Sequence, residues 1–387
     1  MGRLTSRGDL YYLCSFPVTG ERRYPAPVIA VSNQEPTEIA PAPKRLEPKR
    51  PSALPGDLLL RNDEEAARRL ALKALSAARA AERRLDDRSD PEALHDFRVA
   101  IRRLRSLLRA YRPQLGSSVR KKDRARLRKI QRTTGGGREA DVALEWLTKQ
   151  QRDLAPEYLT GLNWLSAKLL ARRRVCAQAL DDEVRQAFKR TAEKLEERLA
   201  IMRTEQNLLA DRPHATFART LANLTEAHAT DLLVQLGQIA RMDDAEALHK
   251  ARIMSKRLRY LLEPLRSQVA EAQPVVKKTK RLQELLGDLN DIHVLMDEIY
   301  QAFDDALAQK AGRIKESLSR GDIDRARRDA SMSEWVGLVE LYSRLEKERR
   351  EVIGRLRDQW LDGDLDALVT RARNLAYELR LRDHAPQ

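Results

Sequence analysis

Two segments of the chain carry histidine, arginine and lysine at the spacing of one face of an α-helix. In the first segment His95 is followed by Arg98, Arg102, Arg105 and Arg109, in steps of three and four residues. Because each residue of an α-helix advances by about 100°, these side chains form one cationic stripe. A second stripe beside it is apolar and consists of Phe97, Ile101, Leu104 and Leu108. The pattern predicts a helix that packs into a core with one face and presents cations on the adjacent face.

The same pattern recurs 154 residues later. Residues 94–108 read LHDFRVAIRRLRSLL and residues 248–262 read LHKARIMSKRLRYLL. The cationic stripe of the second copy consists of His249, Arg252, Lys256 and Arg259. Glu263 interrupts this stripe at the place where the first copy has Arg109. A shared offset across a histidine-led basic pattern indicates an internal duplication.

A second, weaker pair of similar segments, which we call the glycine-led echoes, follows the two copies. Residues 135–142 read GGGREADV, and residues 287–294 read GDLNDIHV. Asn290 stands where the first copy has Arg138, so the two halves need not form equal sites.

The positive charge of the chain is gathered in two matching places. The whole chain carries +15, with 73 Lys and Arg against 58 Asp and Glu. Residues 94–138 carry +13 and residues 248–282 carry +8, which leaves −6 on all other residues. A surface that only keeps a protein soluble mixes the two signs. The clustering therefore indicates an anionic partner, namely nucleic acid, anionic lipid or polyphosphate.

Phosphate is the anion that suits these stripes best. The planar guanidinium group of arginine matches pairs of phosphate oxygens. Each charge-assisted hydrogen bond of this kind contributes roughly 1.5–3 kcal/mol. Several such bonds from two neighbouring helices predict binding that is strong and sensitive to salt.

The composition predicts an all-α protein. Apolar residues make up 42% of the 387 residues, aromatic residues only 5%, and the abundant Leu, Ala, Arg and Glu favour helices. Start and stop signals, including the N-cap candidates Asp90, Asp243 and Asp244, predict a series of helices. Their expected ranges are 62–85, 91–111, 119–133, 141–151, 156–180, 182–202, 216–241, 245–265, 274–286, 291–308, 333–360 and 365–381. The glycine run 135–137 is expected to end the third helix.

The duplication predicts two pseudo-symmetric antiparallel helical bundles, residues 57–212 and residues 213–387. Residues 1–56 hold nine of the 16 prolines, from Pro17 to Pro55, and are interpreted as a disordered tail.

The remaining features point to a cytoplasmic protein. Cys14 and Cys176 are the two cysteines, too few for a disulfide framework or a cysteine-based metal site. No apolar run approaches the ~20 residues of a membrane-spanning helix, and residues 1–20 lack the apolar centre of a secretory signal.

The two copies of H-x-x-R-x-x-x-[RK]-R-L-R, residues 95–105 and 249–259, resemble the paired signature of the CHAD domain, the conserved-histidine α-helical family. The resemblance extends from about Asp57 to the C-terminus. It implies a pair of helical bundles that binds inorganic polyphosphate in a basic channel or groove. In bacteria it also implies association with polyphosphate granules and their proteins.

Carried over by position, the resemblance implies ligand contacts from His95, Arg98, Arg102, Arg105, His249, Arg252, Lys256 and Arg259. The helices that bear Arg124, Arg128, Lys278 and Arg281 would support these contacts. The clustered charge adds further candidates to the polyphosphate-binding set: Arg103, Arg109, Lys121, Arg132, Arg257 and Lys277. Some family members carry an N-terminal triphosphate-tunnel domain, but the E-x-E-x-K motif of that domain does not occur here.

The two histidines leave three roles open. His95 and His249 could bind a metal, contact phosphate or serve a structural purpose, although nearby cations disfavour a metal. Asp141, Asp288 and Asp291 could act as general bases or metal ligands, but pairing with arginine or capping a helix is favoured. The four tryptophans, Trp146, Trp164, Trp335 and Trp360, are interpreted as core or groove-edge residues.

No nucleophile and base at catalytic spacing, glycine-rich phosphate loop or metal motif occurs in the sequence. We therefore expect a binding protein without a cofactor, a metal or an enzymatic activity, whose partner is polyphosphate at cytoplasmic granules. Nucleic acid is the second candidate partner, although the aromatic residues that stack on single strands are scarce. A metal-dependent phosphohydrolase that uses His95 and His249 is the third candidate function.

Overall fold

The computed structural model describes residues 54–87, 90, 92–179, 183–201, 215–239, 244–330 and 333–383. In these residues the chain forms thirteen α-helices, whose bounds are α1 Asp63–Arg83, α2 Ala93–Ala110, α3 Arg112–Leu115, α4 Lys121–Thr133, α5 Gly135–Gln150, α6 Leu159–Ala179, α7 Glu183–Ala200, α8 Phe217–Gly237, α9 Ala245–Leu262, α10 Ala272–Ser319, α11 Ile323–Asp329, α12 Ser333–Leu356 and α13 Leu365–Asp383. A π-helical segment, Arg357–Asp364, joins α12 to α13. The fold is all-α, as the composition predicts, and it has no β-strand within the described ranges.

The second half of the chain repeats the packing of the first half. In the first half α1 packs on α2 and α7, α2 packs on α4, and α5 packs on α6. In the second half α8 packs on α9 and α13, while α10 packs on α9 and α12. Helices α1, α2, α6 and α7 therefore correspond to α8, α9, α12 and α13, and the single helix α10 corresponds to α4 and α5 together. The predicted pair of pseudo-symmetric helical bundles is confirmed.

Equivalent helices meet each other across an approximate two-fold axis. Helix α1 contacts α8, α2 contacts α9, and α6 contacts α12. At one point of the axis the N-caps Asn62 and Thr216, which are 154 residues apart, form an isolated antiparallel bridge. Asp63 N donates to the carbonyl of Ala215 at 3.2 Å, and Phe217 N donates to the carbonyl of Arg61 at 2.8 Å. These two hydrogen bonds are symmetry mates, because 61 corresponds to 215 and 63 to 217.

A pair of glycines lets α6 and α12 cross closely on the same axis. A Cβ atom built on Gly161 would lie 2.6 Å from Leu338 N and 2.5 Å from the carbonyl oxygen of Glu334. A Cβ atom built on Gly337 would lie 2.9 Å from both N and Cα of Gly161. Only glycine permits this approach, since each added methyl group would meet backbone rather than a movable side chain.

Gly161→Ala should lower the free energy of unfolding by about 1–3 kcal/mol, the range found for overpacked cores. Thermal unfolding followed by circular dichroism would measure the loss. The matched control is Gly312→Ala on α10, where an added Cβ meets nothing within 4 Å. That control should be neutral or stabilising by up to ~1 kcal/mol, because alanine favours helices. Equal effects of the two changes would contradict the close crossing.

The core explains why α2 and α9 expose their cations. On α2 the apolar stripe Phe97, Ile101, Leu104 and Leu108 is fully buried. On α9 the buried residues include Leu248, Ala251, Leu258 and Leu262. Because both apolar stripes face the bundle interior, each cationic stripe is held at a fixed angle beside it.

The structure differs from the sequence prediction at the segment that follows each basic helix. The glycines 135–137 do not end a helix but begin α5, and the two helices expected over 274–286 and 291–308 are one continuous helix, α10. In the first half the break lies at Thr134, whose hydroxyl donates back to the carbonyl of Ile130 at 3.1 Å. This bond and three successive glycines weaken the helix there. In the second half Gly287 stands alone between Leu286 and Asp288, and the burial of Leu286 and Leu289 maintains the helix.

Two predictions on organisation fall largely outside the described residues. The predicted tail, residues 1–56, overlaps the description only at 54–56, where Leu54 packs against the core. The predicted boundary between residues 212 and 213 lies in the range 202–214, which is not described.

Asp244 caps α9 as predicted and accepts a hydrogen bond from Ala247 N at 2.9 Å. None of the described helices combines the length and the apolar character that crossing a membrane requires.

Candidate functional site

The basic helices α2 and α9 cross with Arg102 and Lys256 near the two-fold axis. These two residues are equivalent by the 154-residue offset, so the duplication brings one like-charged pair together. The guanidinium of Arg102 lies over the ring of Tyr260, one helical turn from Lys256 on α9, and the charge of Arg102 contributes to lowering the pKa of Lys256. The guanidinium carbons of Arg102 and Arg259 lie 5.8 and 5.3 Å from the ring centre of the buried Tyr260. Tyr260 thus supports two cations through its ring face.

The helices that follow flank α2 and α9, and α4 and α10 hold the arginines in the same way in each half. Arg105 donates to Oε1 of Gln131 on α4, and Arg259 donates to Oε1 of Gln283 on α10 at 2.8 Å. Gln131 and Gln283 are 152 residues apart, the offset that also relates the two glycine-led echoes. The repeated bond orients each guanidinium group without neutralising its charge.

A second set of polar contacts lies nearer the starts of α2 and α9. Arg98 donates to the carbonyl oxygen of Gly135 at 3.1 Å. In the second half Arg252 donates to Oδ1 of Asn290 at 3.3 Å, and Nδ1 of His249 lies 3.2 Å from the same oxygen. These acceptors are uncharged, so the cations remain available to an anion. We refer below to Arg98, Arg102, Arg105, Arg252, Lys256 and Arg259, with the walls α4, α5 and α10, as the axial groove.

Most cations of the axial groove have no ion pair. Among the residues that the structure describes, no carboxylate lies within 4 Å of Arg98, Arg102, Arg105, Arg252 or Lys256. The exception is Arg259, whose Nε lies 3.6 Å from Glu263. In addition, Nε of Arg102 and Nε of Arg252 are buried and have no hydrogen-bond partner among the described residues. Buried donors without partners are costly, and a phosphate oxygen would satisfy them.

Burial and like charges both disfavour the protonated forms of these groups. Burial, followed by repulsion from Arg109 and Arg128, lowers the pKa of Arg105 to about 10. Burial also lowers the pKa of Arg98 and Arg252. The largest effect falls on Lys256, where burial and then Arg252 and Arg102 lower the pKa to about 6. The cations of the groove therefore repel one another, and a bound anion would relieve this repulsion.

The two predicted histidines differ in their surroundings. Burial, and then the charge of Arg138, lowers the pKa of His95, so this imidazole is neutral near pH 7. His249 is exposed and contacts Asn290. The contact roles predicted for both residues stay predictions.

Three of the predicted contacts are not brought together with the axial groove. Arg103 donates to Oε1 of Glu263 at 2.9 Å and lines a cleft that α1 shares with α2 and α9. Arg257 lies near His228 of α8. Burial lowers the pKa of this histidine, and the charge of Arg257 lowers it further. Lys278 is paired with Asp364 of the π-helical segment at 2.8 Å. Residues adjacent in the sequence to the cationic stripe lie about 100° away on the helix, so they face different neighbours.

The other predicted cations lie on the walls. Arg109, Lys121, Arg124 and Arg128 line a cavity between α2 and α4 that adjoins the groove through Arg105. Arg132, Lys277 and Arg281 are exposed on α4 and α10.

Several residues of the site were missed by the sequence reasoning. Arg112 lines the α2–α4 cavity, Tyr260 supports two arginines, and Asn290 binds both His249 and Arg252. By the offset of 152, Arg128 of the first half corresponds to Lys280 of the second half. Extending that offset backward from the glycine-led echoes into α4 and α10 would have identified this pair from the sequence.

Several of the aspartates and tryptophans singled out in the sequence have local partners. Nε of Arg173 lies 3.7 Å from Asp141, and Asp291 accepts a hydrogen bond from Asn290 at 3.2 Å. Burial raises the pKa of Asp288. Trp360 is buried, and Trp146 donates to Glu348 at 2.9 Å. Within the described ranges, no three His, Cys, Asp or Glu side chains are grouped closely enough to hold a metal ion.

The paired helices with two histidine-led stripes match a known domain. A family model described as the CHAD domain matches residues 69–300, a range that includes both α2 and α9. The chain belongs to the CHAD-domain family.

A solved structure of a CHAD domain shares this fold. The crystal structure of the CHAD domain from the plant Ricinus communis is 22% identical to this chain, with a TM-score of 0.53. That match covers 83% of this chain and 94% of the plant chain. PptA from Streptomyces chartreusis is 17% identical, with a TM-score of 0.47 over 84% of this chain and 99% of that chain. The search of curated proteins found no match. The plant structure supports the arrangement of helices in this CHAD domain.

Proposed function

We propose that this CHAD domain binds inorganic polyphosphate in the axial groove and so associates with polyphosphate granules in the cytoplasm. One observation carries the proposal: Arg102 and Lys256 lie together at the two-fold axis, flanked by further cations without ion pairs. A linear phosphate polymer offers an anionic oxygen at every repeat, so it can neutralise cations of both halves at once. Membership of the CHAD family, which is associated with polyphosphate, also supports this ligand.

The groove favours polyphosphate over nucleic acid. Its charged groups are guanidinium and ammonium groups, while the aromatic ring beside them, Tyr260, is buried and has Arg102 and Arg259 over its face. A single-stranded nucleic acid would need exposed rings on which its bases could stack. The proposed role is binding without catalysis. The groove offers hydrogen-bond donors to phosphate, and its cations have the neutral partners described above.

Titration calorimetry of the full chain with long-chain polyphosphate, at roughly 50 to 200 mM salt, tests the proposal. The logarithm of the affinity should fall linearly with the logarithm of the salt concentration, with a slope of roughly 0.7 per cation–phosphate contact if single-stranded nucleic acid is the guide. Polyphosphate should also displace bound DNA at a far lower phosphate concentration than DNA displaces polyphosphate. The reverse ranking would favour nucleic acid, and release of orthophosphate in the presence of Mg²⁺, Mn²⁺ or Zn²⁺ would favour a hydrolase.

A further inference from the structure

The cavity between α2 and α4 is lined by six cations. They are Arg105, Arg109, Arg112, Lys121, Arg124 and Arg128, and no acidic residue is among the lining residues. The cavity has a volume of about 380 Å³. This size lies at the lower end of the ~300–1,000 Å³ that is usual for small-ligand sites. Such a concentration of one charge in a small concave space is unfavourable unless an anion occupies it.

The equivalent place in the second half has fewer cations. By the offsets of 154 and 152, the six cations correspond in order to Arg259, Glu263, Arg266, Gln273, Val276 and Lys280. Lys277 replaces Ala125 of the cavity lining. Glu263 also pairs with Arg103 and Arg259, and Glu284 lies 3.4 Å from Lys280. The second half therefore presents fewer cations here, and part of their charge is already neutralised.

The cations that line the first-half cavity repel one another. Burial, and then the charges of Arg257 and Arg128, lower the pKa of Arg109. Burial, and then the charges of Arg109 and Arg128, lower the pKa of Arg105. Arg124 donates to the carbonyl oxygen of Val119 at 2.8 Å, which orients its guanidinium group and leaves its charge in place. No carboxylate lies within 4 Å of Arg109, Arg112 or Arg128 among the residues that the structure describes.

We propose that the α2–α4 cavity is a subsite for a compact linear triphosphate group, present in the first half alone. This inference rests on the proposed function, because the subsite continues into the axial groove through Arg105. A long polyphosphate chain is then anchored by one end in the cavity and extends over Arg102 and Lys256 toward the second half. The same chemistry would accept a free short oligophosphate, which could occupy the cavity without reaching the axis.

The test compares two matched double variants of the full chain. Arg112→Ala with Arg128→Ala removes two exposed cations of the cavity, and Arg266→Ala with Lys280→Ala removes their equivalents in the second half. All four side chains are exposed, so both variants should fold, and circular dichroism checks this. Calorimetry with tripolyphosphate should give one site per chain. The first variant should lose at least about tenfold in affinity and the second less than about threefold.

Further titrations separate the possible sources of the triphosphate group and the possible failures. Long-chain polyphosphate should compete with tripolyphosphate for the same site, whereas ATP tests whether a nucleoside triphosphate is preferred. Equal losses in the two variants, or no loss in the first, would overturn the subsite. If long-chain polyphosphate still bound in that case, the proposed function would stand. If long-chain polyphosphate bound no more tightly than tripolyphosphate, the extended chain would be contradicted while the cavity remained a triphosphate site.

Discussion

Reversal of the two charges at the axis should weaken the binding of long-chain polyphosphate by about 100-fold or more. The variant combines Arg102→Glu with Lys256→Glu. Each lost charge-assisted hydrogen bond to phosphate removes roughly 1.5–3 kcal/mol, and each 1.4 kcal/mol is tenfold in affinity. Repulsion between the new carboxylates and phosphate adds to the loss. Titration calorimetry at fixed salt measures it.

The fold should tolerate this reversal. Arg252 and Arg259 remain beside residue 256 in this variant, so a glutamate there gains two attractive partners where the lysine had repulsive ones, while residues 102 and 256 stay like-charged. Helicity and the thermal unfolding temperature should therefore be unchanged or slightly raised.

A control with the same change in formal net charge separates the groove from the overall field of the protein. Arg152→Glu with Arg371→Glu alters two exposed cations, one beyond the far end of α5 and one on α13. Helix α5 meets the groove at Gly135. The helical path from Gly135 to Arg152 is about 25 Å long at 1.5 Å per residue. The control should reduce the affinity only a few-fold. A loss as large as that of the axial variant would mean that net charge, and not the groove, determines binding.

Polyphosphate should bind more tightly as the pH falls from about 8 toward 6, with uptake of close to one proton per chain through Lys256. In the free protein burial, Arg252 and Arg102 lower the pKa of Lys256 to about 6, so this side chain is largely neutral above that pH. A bound polyanion favours the ammonium form and raises its pKa. Between the free and the bound pKa the complex therefore holds more protons, and the affinity rises as the pH falls, by at most about tenfold per pH unit. Well below pH 6 both states are protonated, and the dependence should vanish.

Calorimetry in two buffers of different ionisation enthalpy would measure the proton uptake. The end groups of polyphosphate titrate in the same range, so variants of Lys256 are needed as controls. Lys256→Arg keeps the charge and should lose the uptake while binding more tightly than the wild type at pH 8. Lys256→Met should also lose the uptake, but it should bind more weakly at pH 6. Unchanged uptake in both variants would assign the proton to the ligand and contradict the role of Lys256.

Much of the fold could be predicted from local patterns. The apolar stripe of α2 is buried as predicted, and α9 begins at its predicted residue behind the cap Asp244. The errors lie where local signals are weak. Gly287 was expected to separate two helices, but one glycine costs only about 1 kcal/mol in a helix. The burial of its neighbours Leu286 and Leu289 along α10 outweighs that cost.

The candidate site, like the fold, could be predicted from the sequence only in part. Helical spacing identifies a stripe on each basic helix, and the charge count shows that the stripes are concentrated. Spacing cannot identify what each face meets, because the partner of a face is set by packing between residues far apart in the chain. Arg103 and Lys278 were therefore predicted as ligand contacts, while the structure pairs them with Glu263 and Asp364.

The sequence by itself determined that this protein is helical, duplicated and basic in two equivalent places, since periodicity, repetition and charge are properties of the chain. Only the tertiary structure decided that α2 and α9 cross at Arg102 and Lys256, about an axis that also passes Asn62 and Thr216. It also decided that Glu263 pairs with one cation of each half, Arg103 of the first and Arg259 of the second. The physical reason is that burial and the approach of like charges depend on distances across the fold, and these distances raise or relieve the electrostatic free energy of each cation.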